Sequence, residues 1–209
     1  MSTPASKKQK RDVQKGQGGA RCAGITQFYS RTKSCPSDGR NYALLSNFTQ
    51  YEDNKGQTTS VEFLFQIEKL TCDSSGNVSG RKALELEITS SVENSSQVKR
   101  LGSSLNWAKY NLKLDRQAWE KKKDGVMKGL IQRRLRDDPT FRDILTYVMQ
   151  GDHPMLLHFE RSGAKSYWGG SINEKGEIVG VNRLGKIMME VWHEDQSKST
   201  KPLSSDSSE

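Results

Sequence analysis

The segment TSVEFLFQIEKL, Thr59–Leu70, decides how this chain is built. It is too apolar to lie exposed, yet it contains Glu62, Gln66 and Lys69. At about 100° per residue, those three positions fall within an arc of about 60° on a helix. Val61, Phe63, Leu64, Phe65, Ile67 and Leu70 cover most of the remaining surface, with Glu68 on the apolar side. The spacing predicts a helix packed on several sides that presents a narrow ridge of carboxylate, amide and ammonium. Buried charge is costly unless paired, so such a ridge lines either a pocket or a salt-bridge network. Thr59-x-x-Glu62 also matches a capping box, in which Glu62 bonds back to the Thr59 amide, and the two readings stand level here.

Outward from this helix, the second half of the chain carries the clearest helical signals. Asp115 is placed to cap a helix with Ala118, Trp119, Val126, Met127, Leu130 and Ile131 at three- and four-residue steps. Asp138 precedes Pro139 and the stripe Phe141, Ile144, Leu145, Val148 and Met149, which Gly151 ends. Asn182 precedes a third helix with Leu184, Ile187, Met188, Val191 and Trp192 inward. Strand signals are short: Ala83–Ile88 alternates, Met155–Phe159 is an apolar run, and Tyr167–Ile172 is aromatic and glycine-rich. Residues 32–41 and 73–80 read as surface loops. The sum is α+β, predominantly helical, with a few short strands.

Length and charge bound the rest. The chain has 209 residues, enough for one domain and tails. Apolar residues make up only 33%, and mean hydropathy is −0.81, so part of the chain is expected not to pack. Residues 1–21 carry six Lys and Arg against Asp12 alone and read as a disordered basic arm. Its KKQKR stretch, Lys7–Arg11, fits a nuclear import signal or a solvated solubilising tail. Residues 194–209 are Ser-rich and read as a disordered tail. The body between retains a basic surplus of five, which suits an anionic ligand such as phosphate, nucleotide or nucleic acid.

Several classes are set aside. No window approaches the roughly 18 apolar residues of a membrane span, and no apolar core follows the basic residues of Met1–Lys15, so neither a membrane nor a secreted protein is expected. Cys22, Cys35 and Cys72 lack metal or disulfide spacing, and His153, His158 and His193 are scattered. A reducing, intracellular compartment is expected, cytoplasmic or nuclear, with no metal and no cofactor.

Three loops offer further candidates. Ser46-Asn47-Phe48 places an amide and a hydroxyl beside a ring, suited to a planar or sugar ligand, or forms a turn anchored by Phe48. Tyr167-Trp168-Gly169-Gly170 sets an indole beside backbone that a ligand can approach, or a core Trp before a glycine turn. Asn182-Arg183-Leu184-Gly185-Lys186 offers amides at a helix N-terminus where phosphate binds, or simply a helix cap.

Taken in order, these segments resemble the NADAR family, intracellular proteins associated with NAD and ADP-ribose chemistry. The matching stretches are Leu45-Ser46-Asn47-Phe48, then Val61-Glu62 with Phe65-Gln66 and Lys69, then Lys99-Arg100-Leu101-Gly102. Trp119 seven residues before Val126-Met127, Trp168-Gly169 and Asn182–Val191 complete the pattern over about residues 25–192. Glu160 matches a family acidic position, whereas Phe63, Glu68 and Lys165 replace residues the family usually carries.

The resemblance implies one NADAR-like domain over 22–193 that hydrolyses N-glycosidic bonds. The substrate it implies first is ADP-ribosylated guanine in nucleic acid, and second a ribosylamino-pyrimidine phosphate of riboflavin synthesis. The altered motif positions and basic arm also suit a module that binds ADP-ribose or nucleic acid without turnover. An oxocarbenium-like centre needs a carboxylate near C1′ and an acid for the leaving nitrogen. The expected roles are Glu62 at C1′ and Lys69 as acid, phosphate anchor or nucleophile. Asn47, Phe48 and Gln66 orient ribose or base, Trp168 with Gly169 stacks, and the Asn182–Gly185 turn, with Arg183, holds diphosphate.

Overall fold

The quoted helix begins one residue later than a Thr59 capping box requires. Ser60 is extended (φ −149°, ψ 158°), and its hydroxyl accepts from the Phe63 amide. Ser60 therefore caps α1 (Val61–Leu70), while Thr59 lies in a strand and Glu62 is left free to face elsewhere.

The computed structural model describes residues 24–35, 37–151 and 154–199. The basic arm, its KKQKR stretch, Cys22, His153 and the end of the Ser-rich tail lie outside the described residues. The chain enters through β1 (Ile25–Phe28) and runs through a 3-10 turn at Tyr42–Leu45. The hairpin of β2 (Gln50–Glu52) and β3 (Thr58–Ser60) then leads into α1. Next come α2 (Val78–Ser90), α3 (Ser95–Leu101), α4 (Ser104–Trp107), α5 (Arg116–Asp137) and α6 (Pro139–Met149). The chain returns through β4 (Met155–His158), the pair β5 (Ser171–Ile172) and β6 (Ile178–Val179), and α7 (Arg183–Ser199). The fold is α+β and predominantly helical. No helix among the described residues is long and apolar enough to cross a membrane.

The described residues form three two-stranded sheets. β1 pairs parallel with β4, from Ile25 opposite Met155 to Phe28 opposite His158, so the helical body is inserted between two neighbouring strands. α1 divides the interior. Val61 and Phe65 face a large cluster with Phe28, Leu45, Ile131, Leu145 and Ile187, while Leu70, Phe63 and Ile67 join a second with Leu84, Ile88 and Trp107. Burying each such aliphatic or aromatic side chain contributes about 1.5–3 kcal/mol.

Local chemistry explains the boundaries. Asp115 accepts from the Ala118 amide at the start of α5, and Asp138 accepts from the Phe141 amide ahead of Pro139 at the start of α6. Ala83–Ile88 is helical, not a strand. Leu84 and Ile88, four apart, are fully buried, and Leu86 between them is 71% exposed. Ala, Leu, Glu and Lys favour helix, and Asn77 caps it, which outweighs the alternation. Within Tyr167–Ile172 only Ser171–Ile172 is a strand. α7 runs past residue 193 to Ser199, held by Glu194, which accepts from Lys128 (2.5 Å) and Gln132 of α5.

Candidate active site

Glu62 is 6% exposed and lies against a cavity of about 350 Å³. Gln66, one turn along α1, donates from Nε2 to Glu62 Oε1 at 2.8 Å. Burial pushes the Glu62 carboxyl above the usual glutamate range; the Gln66 hydrogen bond and the charges of Lys99 and Lys69 offset this only in part. The Ser46–Phe48 loop closes one side: the Glu62 amide donates to the Asn47 carbonyl at 3.0 Å, and Asn47 Nδ2 reaches Met127 Sδ at 3.5 Å. The lining also takes in His158, Phe159 and Glu160 from the end of β4, with Tyr29 and Ser30 from the end of β1. Phe65 and Trp168 meet edge to face at 5.5 Å in the wall.

Unmet hydrogen-bonding capacity is concentrated here. Asn47 Oδ1, Gln66 Oε1 and His158 Nδ1 are buried without a partner among the described residues, and all three residues line this cavity. An unsatisfied buried polar atom costs about 1–3 kcal/mol, so a ligand that pairs with it recovers that cost. Gln66 Oε1 is aimed at Gly102, and Asn47 Oδ1 and His158 Nδ1 are buried atoms of lining residues. His158 Nδ1 lies 3.8 Å from Glu160 Oε1, too far for a hydrogen bond. Burial depresses the imidazole pKa, against the opposing pull of Glu160 and the Trp168 backbone.

A larger cleft of about 490 Å³ lies between Tyr51 and the α5–α6 corner. Its carboxylates are largely committed. Asp53 accepts from the Lys55 and Gln57 amides and pairs with Arg133, and Asp138 caps α6 and pairs with Arg134.

The structure thus brings Asn47, Phe48, Glu62, Gln66 and Trp168 into one wall. Lys69 is not in it. Seven residues of helix is about 10 Å, and the ammonium passes beyond the cavity to donate to the Gly102 carbonyl at 2.8 Å. It is felt at Glu62 only as a charge, and burial lowers its own pKa, against the raising effect of Glu62. The cation in the wall is Lys99 of α3, whose Nζ sits 5.5 Å from the Phe48 ring centroid.

The Asn182–Gly185 turn has three of its four amides already taken. Those of Asn182, Arg183 and Leu184 donate to the carbonyls of Gly169, Tyr167 and Trp168 at 2.9–3.1 Å. Asn182, left-handed at φ 50°, accepts from the His158 amide and donates to the Leu156 carbonyl. Arg183 is held by Asp124 and Glu190, both at 2.7 Å. Gly185 packs so closely that an added Cβ would lie 2.4 Å from the Leu156 carbonyl oxygen. These residues build the back of the cavity, where only Leu184 reaches the lining. Gly169 is likewise a spacer: a Cβ there would meet Glu160 Cγ at 2.6 Å.

Lys99, His158, Tyr29 and Ser30 are among the lining residues without a role assigned from sequence. Lys99 stands in the quoted Lys99–Gly102 element, and His158 ends the Met155–Phe159 run. For Tyr29 and Ser30 the signal would have been the parallel β1–β4 pairing, which local periodicity does not encode. No protein-family model and no curated protein matches this chain.

Gly102 gives a direct check on the wall. A Cβ there would lie 2.2 Å from Gln66 Oε1 and 2.6 Å from its Cδ. Gly102→Ala is expected to swing Gln66 away from Glu62 and destabilise the fold by about 1–3 kcal/mol. Chemical denaturation measures the loss, and a crystal structure of the variant shows whether Gln66 has left the carboxyl.

Proposed function

We propose that this cavity hydrolyses an N-glycosidic bond, with ADP-ribosylated guanine in nucleic acid as the leading substrate. The observation that carries the proposal is the buried Glu62 carboxyl, raised in pKa, in a cavity that also holds unpartnered Asn47 and His158 atoms and aromatic walls. An acid whose pKa is moved toward neutrality can both take and return a proton. In the reaction, water adds to C1′ as the C1′–N bond breaks, and the leaving nitrogen gains a proton. Glu62 takes the water proton and, ionised, stabilises positive character at C1′. Lys99 replaces Lys69 as the ammonium available to the leaving base, because it alone of the two lines the cavity. Asn47 Oδ1 and His158 Nδ1 accept from ribose hydroxyls or the base, and Trp168 packs against the planar ring.

A ribosylamino-pyrimidine phosphate is the second reading. It is favoured by the wall's single Lys and by the occupied amides of the Asn182–Leu184 turn, which suit one phosphate better than a diphosphate. Product mass spectrometry on purified protein separates the possibilities. Released ADP-ribose from an ADP-ribosylated guanine oligonucleotide supports the first. Ribose 5-phosphate from the pyrimidine compound supports the second. Tight ADP-ribose binding with no release from either would leave a binding module and overturn the enzymatic reading.

A further inference from the structure

Helix α3 is held at both ends, and the two grips leave Lys99 between them. At its far end the Lys69 ammonium of α1 donates to the Gly102 carbonyl at 2.8 Å. At its start Ser95, 6% exposed, sits at the junction of three elements. Its hydroxyl donates to the Phe48 carbonyl at 2.9 Å and lies 3.2 Å from the hydroxyl of Ser60. Ser60 in turn caps α1 by accepting from the Phe63 amide. A hydroxyl has one proton and two lone pairs, so one small side chain serves both contacts. Ser95 thereby ties α3 to the Ser46–Phe48 loop and to the start of the helix that carries Glu62.

Four residues on, one turn of helix later, the same face of α3 carries Lys99. Lys99 lines the cavity, and its Nζ sits 5.5 Å from the Phe48 ring centroid. Phe48 is therefore gripped twice by α3, at its carbonyl by Ser95 and at its ring by Lys99. The ring attracts the ammonium through its quadrupole, which sets no fixed geometry on a flexible four-carbon stem. The hydrogen bond is the directional contact, and among the described residues no other group donates to the Phe48 carbonyl. Val98 and Leu101 bury another side of α3 in the cluster around Trp107. That burial is non-directional and does not by itself set α3 against the loop.

We infer that Ser95 is a positioning residue for the Lys99 ammonium. By fixing the Phe48 backbone to α3, its hydroxyl keeps the ring beneath the ammonium and the ammonium at the cavity wall, where the departing base needs it. The inference rests on the role given to Lys99 above and names the residue through which that role is held. Ser95 is not part of the lining and acts only through its neighbours.

Two measurements on the purified full chain test it, one of them independent of activity. In carbon-edited NMR the Phe48 ring is expected to displace the Lys99 ε-methylene protons upfield, and Lys99→Ala identifies their signal. Ser95→Ala is expected to lose more than half of that displacement, whereas Ser95→Thr, which keeps the hydroxyl, retains it. In steady-state rates on an ADP-ribosylated guanine oligonucleotide, Ser95→Ala is expected to lower kcat about 10–10²-fold with KM nearly unchanged. Ser95→Thr is expected to restore kcat, and in a Lys99→Ala background Ser95→Ala has no further effect on it. Ser95→Cys, similar in volume but a weak donor, gives the pattern of Ser95→Ala and replaces it if that variant does not fold. An unmoved methylene signal in Ser95→Ala, or an equal fall in kcat with and without Lys99, overturns the inference. The two failures are separable. A Ser95-dependent signal without release from any substrate sinks the hydrolase reading alone, and Glu62-dependent release that Ser95→Ala leaves at full rate sinks this one alone.

Discussion

Glu62→Gln is expected to cut turnover by about 10²–10⁴-fold and, at neutral pH, to raise the melting temperature. Both effects have one cause. The carboxyl is held in a place that favours its neutral form, with burial the dominant influence and Gln66, Lys99 and Lys69 offsetting it only in part. A group whose folded-state pKa is raised stabilises the fold most when both states are protonated, below the ordinary glutamate range. Stability then falls as pH rises through that range to the raised value, and is flat above it. Gln does not titrate and keeps an oxygen for Gln66 Nε2, so the variant escapes that loss. The two proteins should therefore melt together near pH 4 and diverge by pH 7, by about 2–4 °C for each kcal/mol of relieved cost. His158 titrates in the opposite sense, its depressed pKa costing stability as pH falls, but it does so equally in both proteins. Melting curves against pH, beside initial rates, provide the check. A variant no more stable at pH 7, or one with full activity, would remove Glu62 from the role given to it.

How much of this site was legible in the sequence follows from which interactions are local. Glu62 and Gln66 share a face because four residues make one turn of helix, and the same arithmetic exposed the α6 stripe and its Asp138 cap. The same periodicity grouped Lys69 with them, because angle around the helix carries no information about distance along it. Ala83–Ile88 failed as a strand for a related reason. Leu84, Leu86 and Ile88 satisfy a two-residue period, but Leu84 and Ile88 also satisfy a four-residue one, and only the packing of α2 over Trp107 and Val98 decides between them. Lys99, His158 and Tyr29 arrive from three distant parts of the chain. Their convergence depends on β1 pairing with β4 across the whole helical body, a long-range contact with no local signature. The Asn182–Gly185 turn had the composition of an anion site, yet three of its amides were claimed by Tyr167–Gly169, a partner as invisible to local reading as the strand pairing.

The largest loss of stability is expected at Arg134, which lies outside the cavity but holds its rim. Its guanidinium is fully buried, 3.0 Å from Asp138 through Nε, and it donates at 2.8 Å to the Ser46 carbonyl through Nη1 and to the Leu44 carbonyl through Nη2. Those carbonyls lead directly into Asn47 and Phe48, so one side chain ties the cavity loop to the α5–α6 corner. It also lies 4.4 Å from the Phe141 ring centroid. Arg134→Ala removes the countercharge from Asp138, orphans two carbonyls and empties a large packed volume. A cost of about 3–5 kcal/mol follows from breaking such a buried pair on one side. Arg134→Lys should rescue little, because a point ammonium cannot serve three acceptors spread around a planar fork. Pairing Arg134→Met with Asp138→Asn keeps the α6 cap, since Asn still accepts from the Phe141 amide, and removes the stranded carboxylate. The double variant should therefore be more stable than Arg134→Met alone, and a denaturation cycle over the four proteins measures that coupling. In the folded fraction, KM should rise more than kcat falls, because the slackened element is the Ser46–Phe48 loop and not Glu62. Equal stability of Arg134→Met and the double variant would mean that the two carbonyls, and not the carboxylate, carry the cost.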